Sequence, residues 1–196
     1  MNKALLLSGG IESTIIAYIY KPDIGITIDY GQVMAESEIK SSKYICKKLN
    51  IKHIVLKTEV PLTKHSNYNI DKKEWIPFRN QYLITVSAMH LFSLNIKEIY
   101  IGTTLNDSHF KDGSSEFINI INKLFNYQEG NISIVAPFVN KTILQIIDKI
   151  NIPLNIISIA FSCTESNIPC GNCESCLKNI NVIHLLRKKM KETIVL

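Results

Sequence analysis

Five short apolar runs, at residues 3–7, 24–29, 53–57, 98–103 and 132–136, alternate along the chain with longer helix-like runs. The latter fall at 13–20, 35–49, 80–94, 115–126, 141–150 and about 176–191. Several of the short runs are apolar at successive positions rather than at every second one. That is the pattern of strands covered on both faces, as in a parallel sheet flanked by helices. Strand–helix alternation of this kind folds as α/β, with right-handed crossovers. The expected architecture is therefore a doubly wound, mostly parallel five-stranded Rossmann-like sheet. Its ligand crevice should lie beyond the carboxyl ends of the strands.

The chain has 196 residues, 46% hydrophobic and 20% charged, enough for one domain with a sizeable core and unlike a disordered protein. No apolar run reaches the roughly 18 residues needed to cross a bilayer. The apolar N-terminus is short, and Gly9-Gly10 and Glu12 follow at once. It reads as a buried first strand of a cytoplasmic protein, not as a signal peptide. The net charge of +5, from 22 basic and 17 acidic residues, suits an anionic ligand but is too mild to argue for nucleic acid. The densest basic cluster, Arg187-Lys188-Lys189-Met190-Lys191, reads as the solvated face of a last helix.

Two stretches resist the regular pattern. Residues 58–78 are polar, with Pro61, His65, Asn67, Asn69 and Pro77, and are too long for an ordinary connection. Residues 151–176 hold Pro153, Pro169 and four of the five cysteines. No repeat or linker interrupts the chain. The expected division is an α/β unit at 1–150, the unit that would carry the ligand crevice, and a cysteine-bearing loop with a C-terminal helix at 151–196, packed on it.

The first strand runs into Ser8-Gly9-Gly10-Ile11-Glu12-Ser13, and a helix follows directly. Two glycines let the backbone turn tightly and approach a ligand. The helix start offers unpaired N–H groups and a positive dipole end to an anion, and the hydroxyls of Ser8, Ser13 and Thr14 add donors. The missing Lys-Ser/Thr ending argues against an ordinary P-loop. Alone, the Ser-Gly-Gly tripeptide is no more than a tight βα turn with a serine cap. Its place between a first strand and a helix, and the motifs downstream, give it weight.

Asp29-Tyr30-Gly31-Gln32 ends the second strand, where this fold places ligand contacts. Pro77-Phe78-Arg79-Asn80 opens the third helix, and Arg79 there can pair with a phosphate or carboxylate. Residues 102–117 are dense in polar groups; Asp107, His109 and Asp112 could hold a heterocycle or position a proton carrier, or be simply solvated. Ala136-Pro137-Phe138-Val139-Asn140-Lys141 delivers Lys141 to the next helix start, as a phosphate ligand or a surface lysine. Cys163, Cys170, Cys173 and Cys176 read C-x6-C-x2-C-x2-C, and four thiolates suit a closed tetrahedral Zn²⁺ site, with an iron–sulfur cluster as the rival. Cys46 stands apart as a small core residue.

The Ser8–Ser13 stretch resembles the loop of the PP-loop ATP-pyrophosphatases, Ser-Gly-Gly-x-Asp-Ser, with Glu12 where those have aspartate. The motifs together and in this order resemble the 7-cyano-7-deazaguanine synthase, or QueC-like, family over nearly the whole chain. The resemblance implies an adenine nucleotide alpha hydrolase-like fold, a homodimer, ATP, Mg²⁺ and Zn²⁺. It implies ATP binding by Ser8, Gly9, Gly10, Ile11, Glu12, Ser13, Thr14, Tyr30, Arg79 and Lys141. It implies an acceptor, 7-carboxy-7-deazaguanine, beside Gln32, Asn80, Asp107, His109, Asp112 and Glu116. Ser13, Lys141 and Asp112 are the expected catalytic residues. The expected reaction adenylates the acceptor carboxylate for attack by ammonia, giving an amide and then a nitrile. One departure is Asp112-Gly113-Ser114 where the family has Asp-Cys-Arg. It keeps open a defence-associated relative that joins the carboxylate to a peptide or protein amine, and also a catalytically dead nucleotide-binding scaffold.

Overall fold

The structure, a computed structural model, describes residues 2–58 and 76–194. Residues 59–75, with Pro61, His65, Asn67 and Asn69 of the long polar stretch, lie outside the described residues. Strands β1 (Lys3–Leu6), β2 (Ile24–Asp29), β3 (Lys52–Lys57), β4 (Glu98–Tyr100) and β5 (Ser133–Val135) form one sheet in the order β3-β2-β1-β4-β5. Every neighbouring pair is parallel, and Leu5 at the centre stands between Gly25 and Tyr100. The chain winds outward in both directions from β1, as the alternation predicts.

Helices cover both faces. α1 (Ile11–Tyr20), α2 (Ala35–Leu49), α5 (Ile143–Lys149), the short α6 (Leu154–Ile157) and α7 (Glu174–Ile194) share one core. It joins Leu5 and Leu7 to Ile15, Ile16, Ile45, Ile147, Ile157 and Val182. α3 (Arg79–Leu91) and α4 (Ser115–Tyr127) cover the other face through Ile84, Leu91, Ile121 and Phe125, packed on Ala4, Ile26 and Ile99. Successive β1 residues, Ala4 and Leu5, thus enter opposite cores, which explains an apolar run without alternation.

Several boundaries differ from the sequence pattern. The fourth strand is ladder-paired only to Tyr100, and Gly102 just beyond it lies close against Glu12 and Ser13 at the start of α1. α6 is four residues long, too short to show a helical period, yet it buries Ile156 and Ile157. α7 begins at Glu174, ahead of the last cysteine. Cys46 packs against β2 at Gly25, where a Cβ would stand 2.8 Å from its sulfur. Burial pushes its thiol up to about 12, so it behaves as a core residue.

At the β5 edge, the Asn122 amide of α4 takes the place of a neighbouring strand. Its Nδ2 donates to the Ile134 carbonyl and its Oδ1 accepts the Ile134 N–H, each at 2.8 Å. A side chain thus satisfies backbone groups that an edge strand otherwise leaves open.

Candidate phosphate site and four-cysteine cluster

After β1 the backbone turns at Gly9, with φ +79°, where a Cβ would meet the Ser41 side chain at 2.8 Å. Only glycine satisfies both the conformation and the space. α1 then starts at Ile11 with Gly10 as its N-cap and no side chain capping it. The Gly10 carbonyl accepts from Thr14 N–H at 2.9 Å, Thr14 Oγ1 at 2.7 Å and Ser13 Oγ at 3.0 Å. Ile11 and Thr14 are fully buried, so they brace the loop from behind. Ser8, Gly10, Glu12 and Ser13 line a cavity of about 800 Å³ in front of it.

The same cavity brings in Tyr30 and Gln32 from the end of β2, Arg79 and Asn80 from the start of α3, and Asp107 and Asp112 from the turns after β4. Arg79 is hydrogen-bonded to the Tyr30 side chain, whose hydroxyl burial pushes above its ordinary range. The Asn80 side chain donates to the Asp112 carbonyl at 2.9 Å. Asp107 Oδ2 accepts both the N–H and the hydroxyl of Thr104, at 2.7 and 2.9 Å. Gln32 is fully engaged within the protein. Its Oε1 accepts the Tyr30 N–H, and its Nε2 donates to the Ile28 carbonyl and to Glu38 Oε2, at 2.9, 3.0 and 2.8 Å. Glu38, from the first turns of α2, is therefore held at the cavity by Gln32. Burial pushes its carboxyl up to about 7, against the hydrogen bond from Gln32 and the charge of Arg79.

Gly9, Ile11 and Thr14 stand behind the loop rather than in the cavity lining, and three further expected site residues lie away from it. His109 is exposed, its ring against Phe110 and its Nδ1 2.8 Å from the Asn106 carbonyl. Glu116 is exposed in the first turn of α4. Lys141 is exposed too, and its backbone is bound to Leu105 and Phe138. Conversely, Glu38 and Lys178 line the cavity without having been singled out by sequence. Glu38 had a weak signal, an acid in the turn after Gln32. Lys178, on α7, had none beyond its place two residues after Cys176.

The four clustered cysteines bring their sulfur atoms within 4.8 Å of one another. The Cys173 and Cys176 N–H groups donate to the sulfurs of Cys170 and Cys173 at 3.4 and 3.3 Å, around Gly171 at φ +78°. Burial alone would raise the Cys163 thiol, but N–H donors from Glu165, Cys170 and Ser166 outweigh it and bring it down to about 6. Four thiolates on one tetrahedral ion, with bonds of about 2.3 Å, stand roughly 3.8 Å apart, so this set fits a single metal ion.

This segment also forms a wall of the phosphate cavity through Phe161, Ser162, Cys163, Thr164 and Glu165. The Phe161 N–H donates to the Gly9 carbonyl at 2.8 Å, and Ser41 Oγ lies within hydrogen-bond distance of both the Gly9 and Ile159 carbonyls. Asn167 binds the Val33 carbonyl and the Ser37 N–H. From α7, Lys178 Nζ reaches Glu12 Oε1 at 2.6 Å. Burial would lower the Lys178 ammonium, but Glu12 keeps it above its ordinary range. Both the opposite charges and a side-chain hydrogen bond hold this pair.

The family described as queuosine biosynthesis protein QueC matches residues 3–182. The chain belongs to the QueC family. It is 30% identical to a 7-cyano-7-deazaguanine synthase of Methanocaldococcus jannaschii, over 91% of this chain and 92% of that one. It is 31% identical to a protein of the same description from Methanosphaera stadtmanae, over 87% and 88%. Such identities make it a diverged QueC-family member. Among solved structures it resembles the U34-tRNA thiolase NcsA of Methanococcus maripaludis, described with its [4Fe-4S] cluster. The TM-score is 0.53 at 16% identity, over 96% of this chain and 66% of that one, a likeness of fold. Among the described residues, no helix is long and apolar enough to cross a membrane.

Proposed function

We propose that this QueC-family chain is an ATP-dependent carbon–nitrogen ligase of the 7-cyano-7-deazaguanine synthase type. The reading is carried by one cavity in which the 8–13 loop meets Tyr30, Arg79, Asn80, Asp107 and Asp112, drawn from the motifs that resemble the family. A triphosphate lies against the N-terminus of α1, where backbone N–H groups and the hydroxyls of Ser8 and Ser13 donate to it. Arg79 neutralises phosphate charge, which is the main protein contribution to such transfers. Glu12, a carboxylate lining the cavity at the loop, would be the ligand for Mg²⁺, an ion that would supply further neutralisation at phosphate oxygens.

A carboxylate oxygen of 7-carboxy-7-deazaguanine, placed by Asn80, Asp107 and Asp112, attacks the α-phosphorus. The bond to the bridging oxygen breaks and pyrophosphate leaves. Ammonia then attacks the acyl carbon, loses a proton and displaces AMP, giving the amide. A second ATP adenylates the amide oxygen, and loss of AMP and protons leaves the nitrile. His109, Glu116 and Lys141 take no part in this scheme, because none lines the cavity. The four thiolates of Cys163, Cys170, Cys173 and Cys176 would hold one Zn²⁺ in a structural role. Sulfurs within 4.8 Å favour a single ion over a four-iron cluster, which puts each thiolate on a different iron.

One observation supports a second acceptor. Gly113 stands where the family resemblance calls for cysteine, and a Cβ there would lie 2.4 Å from the Asp107 carbonyl oxygen. The acceptor end is thus built differently, and the same acyl-adenylate could pass to a peptide or protein amine. The test combines the purified protein with 7-carboxy-7-deazaguanine, ATP and ammonia, and follows ATP–pyrophosphate exchange and product mass. The expected product is the nitrile; a conjugate mass selects the second acceptor, and absence of carboxylate-dependent exchange rejects adenylation.

A further inference from the structure

We infer that Lys178 is a catalytic residue of this site, a cation that pairs with Glu12 and moves to the phosphate oxygens when a nucleotide enters. The inference rests on the adenylation reading and goes beyond it, since neither the loop motif nor the cysteine pattern points to this lysine.

Arg79 and Lys178 are the cations among the described residues lining the cavity. Arg79 is already hydrogen-bonded to Tyr30. Lys178 stands instead over the loop, 2.6 Å from Glu12, which lies in the turn that receives the phosphates. A triphosphate seated there would bring several negative charges beside the Glu12 carboxylate in a partly dry cavity, where repulsion is strong. A flexible four-carbon stem lets the ammonium follow the charge, while the backbone at its base stays fixed. That base is well anchored. Cys176 is two residues before it in the metal-fitting set, and Asn179 next to it donates to the Ala160 carbonyl at 3.0 Å. The Lys178 side chain is 29% exposed, so an incoming ligand can reach it. A phosphate oxygen offers the ammonium the same kind of charge-assisted hydrogen bond that it leaves at Glu12.

The competing role is neutralisation of Glu12 alone, and binding of inorganic pyrophosphate without added Mg²⁺ separates the two. Calorimetric titration is run on wild type, Lys178→Met, Glu12→Gln and the double variant, each with metal content and melting temperature recorded. If Lys178 contacts phosphate, Lys178→Met weakens pyrophosphate binding about tenfold, whether or not Glu12→Gln is also present. Lys178→Arg, which keeps the charge, should stay within a few-fold of wild type. A loss that disappears once Glu12→Gln is present, or equal binding by wild type and Lys178→Met, overturns the inference. Carboxylate-dependent ATP–pyrophosphate exchange by the wild type is measured in parallel. Its absence defeats the adenylation reading itself, whereas exchange with an unaltered Lys178→Met defeats only the role of the lysine.

Discussion

The Phe161 N–H donates to the Gly9 carbonyl across 2.8 Å, so the segment that leads into the cysteine cluster is hydrogen-bonded to the phosphate loop. The metal-fitting site and the cavity are in this sense one assembly. Cys163 belongs to both.

Removing the metal should therefore cost nucleotide binding before it costs the fold. Neither core includes a cluster cysteine, whereas the cavity wall at residues 161–165 contains Cys163. A chelator-treated protein is expected to keep its far-ultraviolet circular dichroism and to bind an ATP analogue at least about tenfold more weakly, with recovery on adding Zn²⁺. Unchanged affinity after metal loss would separate the two sites.

Two glycines in the loop should answer substitution differently. Gly9→Ala forces a side chain into φ +79° and against Ser41 at 2.8 Å, and is expected to destabilise the protein by about 2–3 kcal/mol. Gly10 has φ −72° and open contacts no nearer than 3.4 Å, so Gly10→Ala should change stability by less than about 1 kcal/mol. Urea unfolding of the two variants checks the contrast.

Glu38 makes stability depend on pH in a stated direction. Its folded value, about 7, lies above the ordinary 4.5 because burial disfavours the charged form. Below pH 4.5 both states hold the proton and nothing is lost. As pH rises from 4.5 to 7 the unfolded chain ionises first, so this contribution to stability falls across that window and is gone above it. The loss should be of order 1 kcal/mol after solvent screening of this half-buried group is discounted. Glu38→Gln should flatten this part of the pH–stability curve, measured by denaturation between about pH 4 and 8; an unchanged slope removes the assignment.

Asn122→Ala removes both hydrogen bonds to Ile134 and exposes the β5 edge. Leaving that backbone pair without partners should cost about 2 kcal/mol, read from urea midpoints. Asn122 does not line the cavity, so carboxylate-dependent exchange at room temperature should persist.

Much of the architecture was legible because parallel strands buried on both faces are largely apolar, as Ala4–Leu5 and, apart from Thr27, Ile24–Ile28 are. The phosphate loop was legible for a local reason, since Gly9 and Gly10 join a strand to a helix within a few residues. The rest of the cavity depends on tertiary placement. Lys141 sits after a strand like other ligand-bearing positions, yet its side chain is exposed outside the cavity, and the cavity's lysine comes from α7. His109 lies in a polar stretch beside Asp107 and Asp112, but the turn carries it outward while they face in. Gln32 does line the cavity, and that its amide also holds Glu38, six residues on, could be seen only in the fold.

The hydrogen bond from Phe161 to Gly9 and the ion pair from Lys178 to Glu12 join an early stretch of the chain to a late one. A nascent chain can pair β1 with β2 and form the loop early, yet it then lacks the wall and the ammonium that complete the pocket. On the proposed function, nucleotide competence would then arrive as a late event of biosynthesis, after α7 has formed and the cysteine cluster has been filled.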